Sequence, residues 1–146
     1  MQDIDREIVR ALVADGRVSY TELAERVGLS VSAVHQRVRR LEERGVIRGY
    51  TARVNPDALE RPLTAFVAVK PIDPAAPDDT PDRLLGITAI ESCYSVAGEE
   101  SYLLKVRVAS PGALESVLQE IRGAGNVSTR TTVVLSTPYE QRGAYF

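Results

Sequence analysis

The chain has 146 residues, of which 44% are hydrophobic and 26% charged, and its formal net charge is −2. This composition predicts a folded globular protein, because disordered chains combine low hydrophobicity with high net charge. The single cysteine and the single histidine exclude an intrachain disulfide and a cluster of thiolate or histidine metal ligands. The acidic N-terminal segment and the lack of a long apolar run predict a cytoplasmic protein with no membrane partner.

The charge is divided unevenly along the chain. Residues 1–54 carry 10 basic and 8 acidic side chains, whereas residues 55–146 carry 8 basic and 12 acidic ones. Within the first part, residues 30–53 hold six arginines against two glutamates. Positive charge is therefore concentrated in one short stretch, as in a local nucleic-acid contact.

The first 45 residues predict three helices, each with a capping residue at its start and a glycine-containing turn at its end. The predicted helices run from Asp3 to Asp15-Gly16, from the Ser19/Glu22 capping box to Gly28, and from Ser30 to Gly45. Apolar residues recur at helical spacing in all three, and in the third they are Val31, Val34, Val38 and Leu41.

The segment Gly28-Leu29-Ser30 leaves room only for the short turn of a helix-turn-helix motif. The third helix would then present short polar side chains to base edges and arginines to phosphates. An isolated arginine-rich face is usually only solvated, but its coincidence with capped helices and a short turn favours DNA binding. His35 is either a DNA contact or a neutral exposed residue. The candidate DNA-binding residues are Ser30, Ser32, His35, Gln36, Arg37, Arg39 and Arg40.

Residues 46–54 are β-prone, which predicts a small wing or a strand leaving the first domain. Asn55-Pro56-Asp57 interrupts this run. The predicted domains are a helix-turn-helix domain over 1–50, a hinge over 51–62 and a C-terminal domain over 63–146.

The C-terminal part predicts the order βαββαβ, a ferredoxin-like α+β domain with two helices on one face of an antiparallel sheet. The strands are expected at 63–70, 90–97, 101–109 and 127–136, and the helices begin at Thr80 and Ser110. Outward-facing Val, Leu, Thr and Tyr side chains suggest a mainly apolar second sheet face. We therefore expect this face to form a sheet-to-sheet homodimer.

Nearly the whole chain resembles the Lrp/AsnC, or feast/famine, transcriptional regulators of bacteria and archaea. The segments that carry the resemblance are residues 4–30, 37–56, 96–108 (VAGEESYLLKVRV) and 127–135 (VSTRTTVVL). The phrases SVSAV, SCYSVAGEESY and PIDP are particularly similar to actinobacterial members. The resemblance implies a winged helix-turn-helix domain, a hinge strand and an amino-acid-sensing RAM-type domain, in dimers that assemble into octamers.

The resemblance also implies where the amino-acid effector binds, with no other cofactor. The implied residues are Gly98, Glu99, Glu100, Ser101 and Tyr102 in and after the loop between the second and third strands, with Thr129 and Thr131 on the last strand. Backbone N–H groups of a glycine turn can bind a carboxylate, and an acidic side chain can accept from an ammonium. Many family members have aspartate where this chain has Ser101, so Glu99 or Glu100 can take over that role. Alternatively, Gly98-Glu99-Glu100 is only a hairpin turn.

The sequence therefore predicts a sequence-specific transcriptional regulator whose assembly and DNA binding respond to an amino acid. The alternative is an architectural DNA-organising protein without a small-molecule response. An enzyme is not expected: haem-pathway decarboxylases that resemble this architecture use histidines in the C-terminal half, and this chain has none there. It also lacks a Ser-His-Asp pattern, a CxxC motif and a phosphate-binding loop.

Overall fold

The computed structural model describes residues 2–142, so that Met1 and residues 143–146 of the predicted terminal domains lie outside the described part. The described residues form two compact units, one of residues 2–53 with 139–142 and one of residues 54–138. The first contains α1 (Asp3–Ala14), α2 (Tyr20–Val27) and α3 (Val31–Glu43). The second contains β1 (Leu63–Pro71), α4 (Thr80–Leu84), β2 (Ile90–Ser95), β3 (Tyr102–Val108), α5 (Pro111–Gly125) and β4 (Val127–Val133).

The three helices of the first unit pack around a small apolar core. Its fully buried side chains are Ile8, Leu23, Val34, Val38 and Leu41. Three of the four predicted side chains from α3 are among them, which confirms the helical spacing, whereas Val31 in the first turn is 45% exposed. Burial of this stripe fixes which side of α3 is left for solvent.

The predicted caps of α2 and α3 are confirmed. The Ser19 hydroxyl accepts from the Glu22 N–H at 3.1 Å, and the Ser30 hydroxyl accepts from the Ala33 N–H at 3.2 Å. Gly28 and Gly45 have φ angles of +67° and +69°, a left-handed conformation that side chains with a Cβ disfavour. These capped ends set the short turn between α2 and α3.

The predicted cap of α1 is wrong. Gln2 is the N-cap residue, without a side-chain capping bond, and Asp3 is already helical. The Asp3 carboxylate lies in the first turn, where a negative charge is favoured by the helix dipole, and it is 4.0 Å from Arg6. Asp3 therefore supports the same helix end by its charge instead of by a capping bond.

The β-prone residues 46–54 run as an irregular segment, without a strand partner within the described chain. The N–H groups of Val46 and Ile47 bond to the Leu41 carbonyl at 2.9 and 3.1 Å, and the Tyr50 hydroxyl donates to Glu42 at 2.8 Å. A strand needs a neighbouring strand to bond its backbone groups, and these contacts tie the segment to α3 instead. High β propensity alone therefore does not give a strand here.

The second unit is an antiparallel sheet in the order β2-β3-β1-β4, and it confirms the predicted βαββαβ arrangement. Residues Val67, Leu104 and Val106 point from the sheet into a core with Ile121 of α5 and Leu84 of α4. Helix α5 begins at the Ser110 cap, whose hydroxyl accepts from the Ala113 N–H at 3.1 Å. Both helices therefore cover the same face of the sheet.

The end of α5 packs closely against α4. Its C-cap is Asn126, with a φ angle of +49°, while Gly125 is still part of the helix. A Cβ on Gly125 would lie 3.2 Å from the Leu84 Cδ2 atom and 3.3 Å from Val127. This glycine therefore permits close packing of α5 against α4, and asparagine supplies the left-handed turn.

The uncovered face of the sheet is less uniformly apolar than the sequence predicted. Its central part carries Phe66 and Leu103, but the Glu91 carboxylate lies 2.7 Å from Arg107 and 3.9 Å from Lys105. The side chains of Lys105 and Arg107 are only 12% and 17% exposed. The alternating sequence pattern did not predict these ion pairs. It assigns each residue to a face of the sheet, but it does not show which charged side chains on that face lie close enough to pair.

We predict that Ser30→Ala lowers the free energy of unfolding of the first unit by about 1 kcal/mol, because the Ala33 N–H loses its capping acceptor. Ser30→Asp keeps an acceptor and should retain most of the stability. Urea unfolding followed by circular dichroism measures the change. Ser32→Ala is the control and should stay within about 0.5 kcal/mol of the wild type; equal losses in Ser30→Ala and Ser32→Ala would refute the capping role.

Candidate DNA interface and effector site

Helices α2 and α3 are joined by the three residues between Val27 and Val31, the geometry of a helix-turn-helix. The Leu29 N–H bonds to the Ala24 carbonyl at 3.0 Å, which holds the turn against α2. Since one side of α3 is buried, its opposite side faces solvent over its whole length. This exposed side is what such a unit presents to the major groove.

The structure brings most of the predicted DNA-binding residues together on this exposed side. The exposed members are Ser32, His35, Gln36, Arg39 and Arg40. Ser30 lies at the start of the helix, where its hydroxyl caps α3 and is 3.2 Å from the Ser32 hydroxyl. The His35 ring packs edge-on against Tyr20 of α2, with 5.2 Å between ring centroids. His35 therefore lies beside the start of α2.

Arg37 differs from the other arginines of α3, because it faces α1. Its guanidinium donates to the Asp5 carboxylate at 2.7 Å and to the Gln2 side-chain oxygen at 2.9 Å. The Arg37 and Asp5 side chains are 26% and 13% exposed. Arg37 thus joins α3 to α1, and its charge is compensated within the unit.

Arg39 and Arg40 lie on the exposed side, but only Arg39 has a local acidic partner. Its guanidinium is 2.9 Å from Glu43, and both side chains are largely exposed, so the ion pair contributes little stability. A phosphate can replace such a carboxylate at small cost. Arg44, one turn after Arg40, is a further exposed cation that sequence reasoning missed, although its four-residue spacing from Arg40 was visible.

In the C-terminal unit, the loop from Gly98 to Ser101 joins β2 to β3. The Ser101 N–H bonds to the Val69 carbonyl at 3.0 Å, and the Val96 N–H bonds to the Ser101 carbonyl at 3.1 Å. Gly98 and Glu99 are exposed. The ends of the loop are therefore fixed to the sheet, while its middle is open to solvent.

The loop is also tied to β4 by an ion pair between Glu100 and Arg130. Their charged groups are 2.7 Å apart, and the side chains are 19% and 70% exposed, respectively. Arg130 lies between the predicted residues Thr129 and Thr131, which point to the opposite face of the strand because side chains alternate. The Thr129 hydroxyl accepts from Arg122 of α5 at 3.3 Å. Within one chain, the loop therefore contacts Arg130, a residue that the sequence analysis did not identify. Both threonines lie on the opposite face of β4.

Tyr102 belongs to the buried face of β3 and to the core. Its hydroxyl donates to the carboxylate of Asp78 in the loop before α4. This hydrogen bond, followed by burial, raises the pKa of Tyr102 from 10.0 to about 12. Tyr102 therefore connects the beginning of β3 to the proline-rich loop.

Residues 2–142 contain neither a cluster of metal-binding side chains nor a membrane-spanning helix. No group of three or more His, Cys, Asp or Glu side chains in this part of the chain could hold a metal ion. None of its helices is long and apolar enough to cross a membrane.

Both units of the chain match known protein families. Residues 1–48 match the winged helix-turn-helix DNA-binding model, and residues 64–144 match the Lrp/AsnC ligand binding domain. The HTH-type transcriptional regulator LrpA of Mycobacterium tuberculosis is 61% identical over 142 residues, which cover 97% of this chain and 95% of that protein. The leucine-responsive regulatory protein of Escherichia coli K12 is 42% identical over 137 residues, which cover 90% of this chain and 83% of that protein.

Solved structures agree with these matches. A feast or famine regulatory protein from M. tuberculosis, complexed with L-methionine, has a TM-score of 0.95 and 62% identity, covering 97% of this chain and 96% of that chain. E. coli AsnC has a TM-score of 0.84 and 29% identity, covering 96% of this chain and 95% of that chain.

The helix-turn-helix unit, with its exposed α3 face, and the α+β unit that follows define a DNA-binding transcriptional regulator, not an enzyme. The resemblance read from the sequence is confirmed, including its actinobacterial character. The chain belongs to the Lrp/AsnC family of transcriptional regulators.

We predict that Gln36→Ala weakens discrimination between a selected DNA site and random duplex by about 1–3 kcal/mol, since a glutamine amide can make two hydrogen bonds to adenine. The dependence of affinity on salt should not change, because no phosphate contact is lost. Site selection from a random library, followed by fluorescence anisotropy, measures both quantities. Gln119→Ala, the same truncation on an exposed position of α5, is the matched control. Unchanged discrimination in Gln36→Ala would exclude base contact by this residue.

We also predict that ionisation of Tyr102 lowers the free energy of unfolding at alkaline pH. Because its pKa is raised to about 12 in the fold, the neutral hydroxyl contributes stability fully below about pH 10. That contribution is lost as pH rises through about 12. Urea unfolding between pH 9 and 12 should therefore show a steeper fall for the wild type than for Tyr102→Phe. Parallel curves for wild type and Tyr102→Phe would contradict the assignment.

Proposed function

We propose that this regulator reads a specific DNA sequence with α3, and that its assembly and DNA binding respond to a small amino acid. The observation that carries the DNA-reading part is the position of Ser32 and Gln36 on the exposed side of α3, opposite the buried stripe. Both lie in the first half of the helix, the part that approaches base edges in helix-turn-helix proteins. Arg39 and Arg40 follow them and are suited to contact the phosphates beside the groove.

Stable binding would require more than one copy of the first unit. Residues 1–54 carry 10 basic against 8 acidic side chains, so a single reader has little net positive charge, and each phosphate contact adds only a limited electrostatic contribution. Two copies reading half-sites about one helical turn apart would add their contacts. We propose the organisation read from the sequence for this purpose: a reader over 1–50, a hinge over 51–62 and an effector-binding and oligomerisation domain over 63–146, in a cytoplasmic homodimer that assembles into an octamer.

The uncovered sheet face supports such a dimer. Phe66, Ala68 and Leu103 lie side by side at its centre, on neighbouring strands, and are only partly exposed in the single chain. Tyr94 of β2 extends this apolar area and is 52% exposed. Pairing of two sheets through this area would remove these side chains from water, which is the main driving force for association.

An amino acid is the effector class that the relatives favour. The M. tuberculosis feast or famine protein and a regulator from Neisseria meningitidis have both been solved as L-methionine complexes. In this chain, the Glu100–Arg130 pair places opposite charges 2.7 Å apart beside the open Gly98-Glu99 loop. A zwitterion carries the complementary pair of charges, an ammonium for Glu100 and a carboxylate for Arg130 or the loop N–H groups.

The positions of Thr129 and Thr131 suggest how the proposed site is completed. They lie on the opposite face of β4 from Arg130, so one ligand cannot readily contact all of these residues of a single chain. Ser101 and Tyr102 hold the loop to the sheet and to the proline-rich segment. We place the effector between subunits, with the Gly98–Ser101 loop of one copy facing the β4 edge of another. Binding there would favour one assembly over another, which is the requirement for regulation.

The effector proposal predicts that at least one amino acid stabilises the full chain, by about 2.7 kcal/mol at 100 times its Kd. Thermal unfolding with each amino acid identifies it, and sedimentation and DNA affinity are then measured with and without it. Glu100→Gln should abolish the response, while Glu120→Gln on the exposed side of α5 should retain it.

The outcomes separate the two functions considered. If no amino acid changes the unfolding temperature, the sedimentation or the DNA affinity, the effector proposal is wrong. Chromosome-wide occupancy then becomes informative, because broad coverage would favour the architectural alternative, whereas a few sharp sites would retain the sequence-specific regulator.

A further inference from the structure

A small basic cleft lies between the beginning of α1 and one flank of α3. All of its residues belong to the first unit, and the cleft is lined by Gln2, Asp5, Arg37, Arg40, Leu41 and Arg44. Three of these residues are arginines and one is an aspartate. The cleft therefore carries a net positive charge. Which of its arginines can bind a further anion depends on which of them already form ion pairs within the chain.

Arg37 uses the single carboxylate of the cleft. Its bonds to Asp5 and Gln2 leave Arg40 and Arg44, whose side chains form no hydrogen bond or ion pair with any other residue in the described part of the chain. Neither glutamate of α3 forms an ion pair with them: the Glu42 carboxylate accepts from the Tyr50 hydroxyl, and the Glu43 carboxylate pairs with Arg39. Two positive charges in the cleft thus remain without a local counterion.

Arg40 and Arg44 are also neighbours on the helix surface. Residues four apart lie one turn from each other, and a like-charged pair at this spacing destabilises a helix. An anion between the two guanidinium groups would remove this repulsion and gain two charge-assisted hydrogen bonds. The arrangement is therefore suited to an anion with several oxygen acceptors, such as a phosphate.

The cleft borders the side of α3 that is proposed to read bases. Each step of four residues turns about 40° around a helix, so Arg40 and Arg44 lie progressively to one side of Gln36. A helix with its side chains is about 10–12 Å wide, and the major groove is about 12 Å wide. A flank of a helix in that groove must therefore lie close to one of the two phosphate backbones.

We propose that this cleft binds one backbone phosphate of DNA through Arg40 and Arg44, and that Arg37 is a positioning residue. The Arg37–Asp5 bond fixes the beginning of α1 against α3 and so maintains the cleft. This inference rests on the proposed entry of α3 into the major groove. It assigns Arg44 to the DNA interface and removes Arg37 from direct phosphate contact.

The test compares the salt dependence of binding of the full-length protein to a random-sequence 30-bp duplex, by fluorescence anisotropy. Log affinity falls with log salt by about 0.9 for each phosphate contact, so Arg40→Gln/Arg44→Gln, which removes the contact to one phosphate, should reduce the slope by about 0.9 per bound reader. Arg61→Gln/Arg83→Gln, with the same change of charge in the second unit, should retain the wild-type slope. Arg37→Gln should lower the unfolding temperature and largely retain the slope.

Each contrary result has a separate meaning. If the wild type does not bind duplex even at low salt, the proposed function itself fails. If it binds and Arg40→Gln/Arg44→Gln retains its slope, the phosphate cleft is wrong while DNA binding stands. A second experiment measures the thermal stability of the protein in inorganic phosphate. If submillimolar phosphate stabilises the wild type but not Arg40→Gln/Arg44→Gln, while the two proteins show the same salt dependence of DNA binding, the cleft is a site for a free anion. This result would overturn the assignment to DNA.

Discussion

The burial of one stripe of α3 is the constraint on which the DNA-binding unit depends. Val34 and Val38 are fully buried and Leu41 nearly so, and together they orient the helix against α1 and α2. Because successive residues turn by about 100°, fixing this stripe also fixes the direction of every other side chain on the helix. The polar residues at the exposed side and the arginines at the flank thus owe their positions to three aliphatic side chains that never contact DNA.

Much of this arrangement could be predicted from the sequence, since it depends on local patterns. Serines 19 and 30 mark helix starts, and glycines 28 and 45 mark ends, because capping and left-handed turns are satisfied by residues nearby in the chain. The contact of Arg37 with α1 could not be predicted, because the pattern of one helix cannot show that another helix supplies a carboxylate. Its partner Asp5 is 32 residues away. Arg130 was missed for the same reason, since only the fold brings it to Glu100.

The two ends of the candidate effector loop have opposite surroundings. Glu100 reaches toward β4 and an exposed arginine, whereas Tyr102, two residues later, is buried and bonded to Asp78. The chain therefore connects the exposed part of this loop directly to a residue that is packed in the core. If the proposed effector binds at this loop, the connection would let it alter the packing of the sheet, as the proposed regulation by assembly requires.

The charges on the uncovered sheet face also affect the choice of a partner subunit. The Glu91 carboxylate lies against Lys105 and Arg107, and the two cations are poorly accessible to water. If two sheets pack through this face, the facing chain must leave this triad intact, because breaking a buried ion pair is costly. A related regulator with a different charge pattern at these positions would pair poorly with this one. If this face forms the proposed dimer, the triad would favour pairing between identical subunits, independently of the DNA that they read.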